Sequence, residues 1–247
     1  MDISSETRVA DVATEYPGTI RVFQRYGIDF CCGGKRALSE VCAELKVELG
    51  QLKQDLDLAV AGPRDEGPAW HTWSMAQVIT GIVDRYHRPL AQELPRLAGM
   101  MEKVLRVHGE RHPELAEVSR IFGEIRSELR PHMRKEEEML FPYIVRIEAA
   151  ALAGAALGNA RVGSLTGPVV AMEAEHEEVG RGLAALRQRT DGYRPPADAC
   201  NTFRGLYHGF AELERDLHQH IHVENNILFP RAAKVEAGLR ERVHARG

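Results

Sequence analysis

The sequence predicts an all-α protein, an up-down four-helix bundle preceded by a small helical domain. Three observations support this fold class: apolar residues recur at helical spacing, strand-like alternation is absent, and short stretches with proline or glycine separate the periodic segments. Long helices that are joined by short turns favour an up-down bundle. At 247 residues and 44% hydrophobic content, the chain is long and apolar enough to bury a core.

The first predicted unit, residues 1–58, is a small helical domain. Its helical segments are short and are broken by Pro17-Gly18 and by a glycine-rich connection at 31–34. We expect helices over roughly 9–16, 20–26, 37–45 and 49–58. Residues 59–73 are predicted to be a linker, because turn formers and charges follow there without periodicity.

The second predicted unit, residues 74–240, is the bundle. It begins at Ser74, a residue suited to cap a helix N-terminus. Four helical patterns cover roughly 74–107, 113–149, 167–190 and 196–236. The stretch 150–166, rich in alanine and glycine, is expected to be the middle connection.

One motif occurs twice in the bundle. His132 and Glu136 are four residues apart, as are His220 and Glu224, and each pair precedes a Leu-Phe-Pro sequence. Positions i and i+4 share a helix face, so an imidazole and a carboxylate can reach the same point. The proline removes a helical hydrogen bond, which predicts either a helix end or a kink beside the site. Two such helices could hold a pair of redox metals.

The spacing of histidines adds two candidates. His87 lies 45 residues before His132, and His176 lies 44 residues before His220, with a predicted turn near the midpoint of each pair. Residues equidistant from the turn of a helical hairpin lie at the same height. We therefore expect His87 to face His132 and His176 to face His220.

These side chains predict a two-metal centre. The candidate ligands are four histidines and two glutamates: His87, His132, Glu136, His176, His220 and Glu224. The set suits two iron ions, with manganese left open, whereas zinc usually takes fewer ligands. Two bridging glutamates and a bridging oxide or hydroxide would leave one position on each ion for a diatomic molecule.

Other polar residues are expected to lie outside this centre. His108 is about 30 Å along the helix axis from His87, so it could join only if the first helix broke, an alternative that the sequence leaves open. The neighbours of the candidate ligands should point elsewhere: Glu137, Glu138, His218 and His222. For Glu175 and Glu177, a solvated position is favoured over a place along an access path.

Cys31 and Cys32 are adjacent and precede two glycines. Four cysteines are too few for a disulfide scaffold, so reduced thiols in the cytoplasm are expected. We expect a helix to begin at Lys35, and its N-terminus with nearby cations would lower a thiol pKa. The two are candidate reactive thiols that handle metal, nitric oxide or electrons; the alternative is two small buried residues at a tight corner.

Composition and charge indicate which kinds of partner are not expected. The net charge is −4 and no stripe of lysine and arginine stands out, so a nucleic-acid partner is not expected. No apolar run approaches the roughly 18 residues that span a bilayer, and the first residues lack the features of a signal peptide. We expect a cytoplasmic protein without a membrane partner.

The motifs resemble those of a known family. The chain from about residue 74 is similar to hemerythrin-like domains, and the whole chain resembles di-iron proteins that repair iron–sulfur clusters after nitrosative and oxidative stress. The matching segments are 26–35, 85–87, 132–136, 175–177 and 220–230. The resemblance implies that the six candidates are iron ligands, and that damaged or apo iron–sulfur proteins receive the iron.

The sequence also departs from the oxygen-carrying hemerythrins. Gly180 stands where those proteins place a further histidine, and Glu224 stands four residues after its histidine where they have an aspartate at five. Fewer nitrogen ligands suit iron donation better than oxygen storage.

Several functional alternatives remain open at this point. They are a di-iron nitric oxide reductase or scavenger, and a sensor of nitric oxide or oxygen. Whether the protein is an enzyme is therefore open. A homodimer through the N-terminal domain is expected, because that domain is too small to bury much surface alone.

Overall fold

Helices form wherever the sequence has helical periodicity in the described part of the chain, residues 3–61, 68–155 and 164–244 of a computed structural model. Eleven α-helices lie within these ranges: α1 Val9–Glu15, α2 Ile20–Tyr26, α3 Leu38–Leu45, α4 Leu49–Ala61, α5 Met75–Ile82, α6 Arg88–His108, α7 Glu114–Lys135, α8 Phe141–Leu152, α9 Thr166–Arg189, α10 Asn201–Val223 and α11 Phe229–His244. Short 3₁₀ turns lie at Pro17–Thr19 and Trp70–Thr72. The predicted all-α fold class is confirmed.

Helices α1–α4 form the N-terminal domain around a small core. Phe23, Phe30 and Leu52 are among its fully buried side chains. Gly27 ends α2 with a φ of 67°, a left-handed conformation that glycine adopts without a steric penalty. The chain can therefore turn sharply into the segment that carries Cys31 and Cys32.

The remaining helices form four long arms. The arms are α5–α6, α7–α8, α9 and α10–α11. Ser74 caps the first of them as expected: its Oγ accepts a hydrogen bond from the Gln77 N–H at 3.1 Å. Helix α6 packs against α10, and α7 packs against α9. Leu97, Leu115 and Phe210 on these helices are buried. None of the helices in the described ranges is both long and apolar enough to cross a membrane.

Three of the arms contain a π-helical turn. These turns are Val83–His87, Glu136–Leu140 and Glu224–Leu228. A proline stands two residues after each turn and has no N–H, so the ordinary helical bond to the carbonyl four residues back is lost. The residue before each proline bonds five residues back instead, as Phe141 N–H does to the Glu136 carbonyl. The helix therefore continues past each proline, and the turn lies beside a candidate ligand.

The N-terminal domain packs directly on the bundle. Asn226 Nδ2 donates to the Cys31 carbonyl at 2.9 Å, and the imidazole of His222 lies with Nδ1 at 3.2 Å from the Phe30 carbonyl. Lys35 forms an ion pair with Glu173 on α9 at 2.8 Å. These contacts fix the thiol segment against α9 and α10.

Parts of the two predicted connections lie outside the described residues. They are 62–67 of the predicted linker and 156–163 of the predicted middle connection. Helix α4 extends to Ala61, and α8 extends to Leu152. The domain boundaries stay a prediction.

Candidate metal centre

The structure brings the six candidate ligands together in the middle of the bundle. His132, His176 and His220 lie within α7, α9 and α10. The other three lie at the π turns: His87 ends the first, and Glu136 and Glu224 begin the second and third. All six side chains are at most 2% exposed. Burial of this kind requires polar partners or cations.

The ligand atoms form two groups that share both carboxylates. One group joins His87 and His220 with the two glutamates, and the other joins His132 and His176 with the same glutamates. Within each group the atoms lie within 4.8 Å of one another. We call the position of His87 and His220 the first half of the centre, and the position of His132 and His176 the second half.

The pairing of the histidines differs from the prediction. Nε2 of His87 lies 3.0 Å from Nε2 of His220, and the same distance separates His132 from His176. The expectation that His87 faces His132 was wrong. Distance from a turn fixes the height of a residue, but each helix of a bundle has two neighbours, and the histidines pair between the hairpins instead of within them.

Each carboxylate reaches both halves. Glu136 Oε2 lies 3.4 Å from Nε2 of His87 and of His132. Glu224 Oε1 lies 3.0 Å from His220 Nε2, and its Oε2 lies 3.2 Å from His176 Nε2. The two glutamates are therefore positioned to bridge two ions.

The second half has well-fixed rings. His176 Nδ1 bonds the buried Asn225 Oδ1 at 2.8 Å, and His132 Nδ1 bonds Glu175 Oε2 at 2.9 Å. Glu175 is held in turn by Lys135. An Nδ1–H that donates in this way leaves the Nε2 lone pair directed at the centre.

The first half is fixed less completely. His87 Nδ1 bonds Glu137 Oε1 at 2.7 Å, but the Glu137 side chain is 45% exposed. His220 Nδ1 is buried and has no hydrogen-bond partner among the described residues. Its ring is held by stacking on Tyr86, with centroids 5.2 Å apart.

The contacts of two of these partners differ from expectation: Glu137 was expected to point elsewhere and Glu175 to be solvated. Glu137 does not point elsewhere, because the π turn that begins at Glu136 changes the angular spacing on which that expectation rested. Glu175 orients a ring where a solvated position was favoured. Glu138 and Glu177 are exposed, as expected, and each pairs with an arginine of its own helix. No sequence pattern singled out Asn225, which simply follows Glu224.

The buried atoms of the centre fit a pair of cations. Both Glu136 oxygens and Glu224 Oε2 have no hydrogen-bond partner among the described residues, although they are inaccessible to solvent. Unpaired buried carboxylate oxygens are costly, and cations would compensate them. Imidazole and carboxylate donors in this number suit iron, so the residues fit a di-iron centre.

The buried charges of the centre shift the pKa values of its ligands, and His176 shows this in the second half. Burial lowers its pKa, but the Glu224 carboxylate at 3.2 Å outweighs burial and raises it to about 9. Burial would raise the pKa of Glu224, and the neighbouring His220 and His176 bring it well below its ordinary value. Burial dominates at His220, whose pKa is lowered. In the absence of metal the acid and the imidazoles thus compensate one another.

The other histidines lie apart from this centre. His108 Nε2 is 3.2 Å from Cys200 Sγ at the end of α6, and neither group of ligand atoms includes it. His218 and His222 point away from the centre, as expected, and both rings lie against Phe30 of the N-terminal domain. The side chain of His244 lies outside the described residues.

The vicinal thiols lie close to the centre. Cys31 is buried and Cys32 is half-buried, with their Sγ atoms 3.8 Å apart. Asp29 Oδ1 accepts hydrogen bonds from both backbone N–H groups at 2.9 Å. Cys32 Sγ lies 3.7 Å from the carbonyl oxygen of His176. The thiols therefore contact the backbone of a candidate ligand.

The expected environment of the thiols was partly wrong. The following helix begins at Leu38, not at Lys35, and Lys35 is paired with Glu173. The pKa of Cys31 is raised well above its ordinary value by its hydrogen bond with Cys32, by burial and by the charge of Asp29. The charge nearest to the Cys31 thiol is the Asp29 carboxylate, whose Oδ1 lies 3.2 Å from Sγ.

Comparisons with known proteins agree with this architecture. Residues 78–232 match the hemerythrin HHE cation binding domain, and residues 5–59 match a domain of unknown function, DUF542. The chain is 37% identical over 225 residues to the iron-sulfur cluster repair protein YtfE of Yersinia pseudotuberculosis serotype IB (strain PB1/+), covering 91% of this chain and 96% of the relative. The protein of the same name from Yersinia pestis (strain Pestoides F) matches with the same identity and coverage.

Proposed function

The chain belongs to the hemerythrin HHE family, in the group of iron–sulfur cluster repair proteins, and we propose that it repairs damaged iron–sulfur clusters by donating iron. The damage in question is nitrosative or oxidative. The observation that carries the proposal is the pair of ligand groups that share Glu136 and Glu224. Damaged or apo iron–sulfur proteins are the proposed recipients.

The six buried side chains have defined roles in this proposal. His87 and His220 would hold one ion, His132 and His176 would hold the other, and both glutamates would offer an oxygen to each ion. A bound iron pair would supply redox chemistry and open positions for nitric oxide or oxygen. The protein orients the imidazoles and excludes water: the Phe141 ring stacks on His87 with centroids 5.8 Å apart, and Phe229 stacks on His176 at 6.2 Å.

Gly180 supports donation over oxygen storage. It lies one helical turn after His176, where the oxygen carriers have a further histidine. A Cβ at this position would lie 3.8 Å from Cys32 Sγ, so the N-terminal thiol occupies the space beside it. The second half therefore has a thiol as its neighbour in place of a further imidazole, and fewer nitrogens would hold the iron there.

Iron transfer is the direct test of this proposal. The iron-loaded protein is incubated with an apo ferredoxin-type acceptor and sulfide, and cluster formation is followed by absorbance against a control with free iron at the same concentration. We expect reconstitution faster than in the control. Equal rates would contradict donation.

A second measurement separates donation from catalysis. The iron-loaded protein is supplied with nitric oxide and an electron donor, and the consumption of nitric oxide per iron pair is counted. We expect no sustained turnover. Many turnovers with full retention of iron would assign a nitric oxide reductase instead.

Compartment and assembly are finer parts of the proposal. We propose the reducing cytoplasm as the compartment, because four cysteines are too few for a disulfide scaffold. The argument for a homodimer assumed an isolated N-terminal domain, whereas this domain packs on its own bundle through Cys31 and Phe30. A homodimer stays a prediction that sedimentation can test.

A further inference from the structure

A cavity of about 640 Å³ lies between the N-terminal domain and the bundle. One wall is the turn that contains Asp29, Cys31 and Cys32, and the opposite wall is formed by α9 and α10. The two thiols thus lie on a shared space that a small ion or the ligand of a partner could enter.

The thiols are spaced for a metal ion. Two thiolates that bind one tetrahedral cation at about 2.3 Å lie about 3.8 Å apart. The Sγ atoms of Cys31 and Cys32 are 3.8 Å apart, and a carboxylate oxygen of Asp29 lies within 4.8 Å of both. Asp29 also fixes the turn through the backbone N–H groups of both cysteines. The spacing therefore exists without any rearrangement of the turn.

We propose that Cys31 and Cys32, with Asp29 beside them, form a third metal site for one thiophilic divalent cation, with iron(II) as its cargo. The role as a cargo site rests on the proposed iron donation. Binding exchanges the two thiol protons, which leave to solvent through the cavity, for two metal–sulfur bonds. No electron is transferred in this step.

The charges around the cavity permit a cation. Its three arginines are each paired with a carboxylate: Arg181 with Glu178, Arg187 with Glu214 and Arg215 with Glu212. Lys35 is paired with Glu173. Glu214 Oε1 lies 3.7 Å from the Arg187 guanidinium and balances that arginine, so this pair adds no free charge to the cavity. The paired arginines offset little of the negative charge of two thiolates and Asp29.

The third site lies next to the two-metal centre. Cys32 Sγ is 3.7 Å from the His176 carbonyl, and the Cys31 carbonyl accepts from Asn226, two residues after Glu224. Two or three protein ligands leave a tetrahedral ion with an open position. Because the thiols line the cavity, a ligand of the recipient protein could reach that position. The site is therefore suited to hold iron between the centre and a recipient.

Zinc binding to the full-length, iron-loaded protein under reducing conditions tests this inference. We expect about one zinc ion per chain beyond the iron, with two sulfur neighbours at about 2.3 Å in zinc K-edge X-ray absorption. The double variant Cys31→Ser/Cys32→Ser should lose this zinc and keep its iron. Cys42→Ser and Cys200→Ser remove thiols that do not line the cavity, and should keep it.

A milder variant guards against a folding defect in the double variant. Asp29→Asn keeps the size of the side chain, and we expect it to weaken zinc binding about 10- to 100-fold with the iron content unchanged. Zinc with only nitrogen and oxygen neighbours, zinc that displaces iron, or zinc retained by the double variant would each overturn the third site.

The zinc-binding test of the third site and the iron-donation test of the proposed function can fail independently. If the wild-type protein donates iron but binds no zinc at the thiols, the third site is wrong and donation stands. If it binds zinc at the thiols but does not donate iron, the site stands and its role as a cargo site is wrong.

Discussion

The two halves of the metal centre have the same ligand types but different support. In the second half, both imidazoles bond through Nδ1 to a partner, and one of these partners is the buried Asn225. In the first half, His87 depends on the half-exposed Glu137, and His220 has no hydrogen-bond partner at Nδ1 among the described residues. Partners of this kind orient a ring and raise its basicity. We infer that the first half releases its ion more readily.

The largest expected effect is the loss of both ions, which would leave no halves to compare. Glu224 contacts histidines of both halves, so Glu224→Ala should destabilise both ions together. We expect the iron content to fall from about two to below about one per chain, because a bridging ligand is lost from both positions. Iron is measured by a chromogenic chelator after denaturation. The exposed Glu178→Ala is the matched control, and full retention of iron by Glu224→Ala would refute the bridging role.

Single histidine variants should separate the halves. We expect His220→Ala to lose the first-half ion and His176→Ala the second-half ion, so each retains about one iron per chain. The ion that remains in His176→Ala is the first-half ion, which we expect to be released more readily. Chelators should therefore remove it faster than the ion that remains in His220→Ala. Equal rates in the two variants would mean that the halves do not differ.

The orienting partners should produce smaller effects. Asn225→Ala leaves His176 without its Nδ1 partner, and we expect a loss of affinity of about 10- to 100-fold in the second half. Glu137→Ala should cost less in the first half, since an exposed partner can be replaced by solvent. Competition with a graded series of chelators measures both. A larger loss in Glu137→Ala would reverse the inferred order.

The last expected effect concerns the stability of the metal-free protein. The folded-state pKa of His176 is about 9, above its ordinary value of 6.5. This raised pKa stabilises the fold fully below pH 6.5, and the contribution is lost as the pH rises through 9. We expect a loss of unfolding free energy on the order of 2 kcal/mol across this range, measured by urea denaturation.

Iron and a substitution both provide controls for this pH dependence. The loaded protein should not show the loss, because metal binding keeps His176 neutral. The variant His176→Gln should show a smaller loss, since His87, whose pKa burial lowers but Glu136 and Glu224 raise above its ordinary value, still contributes. A metal-free protein whose stability is constant between pH 6.5 and 9 would contradict the role of Glu224 at this imidazole.

The sequence predicts the fold class and the six ligands because both follow from periodicity. A repeated i, i+4 pair fixes His132 and Glu136 on one face, and spacing about a turn adds His87 and His176. The same reasoning cannot choose which histidines meet, since height along a bundle does not decide which helices are neighbours.

Other features depend on structure that no periodicity encodes. Glu137 turns toward His87 because a π turn changes the angular spacing of the helix. The contacts of Cys32 with α9 and of His222 with Phe30 depend on how the two units pack, because the two residues of each contact are 144 and 192 positions apart in the sequence. The raised pKa of Cys31 has a local origin, since the formed turn places its thiol against Cys32, buries it and holds it beside Asp29.

The most direct test of the two-metal centre is anomalous X-ray diffraction at the iron edge on crystals of the iron-loaded protein. We predict two adjacent peaks, one between His87 and His220 and one between His132 and His176, with Glu136 and Glu224 in contact with both. A single peak, or peaks that do not touch both glutamates, would contradict a centre built from two halves with shared carboxylates.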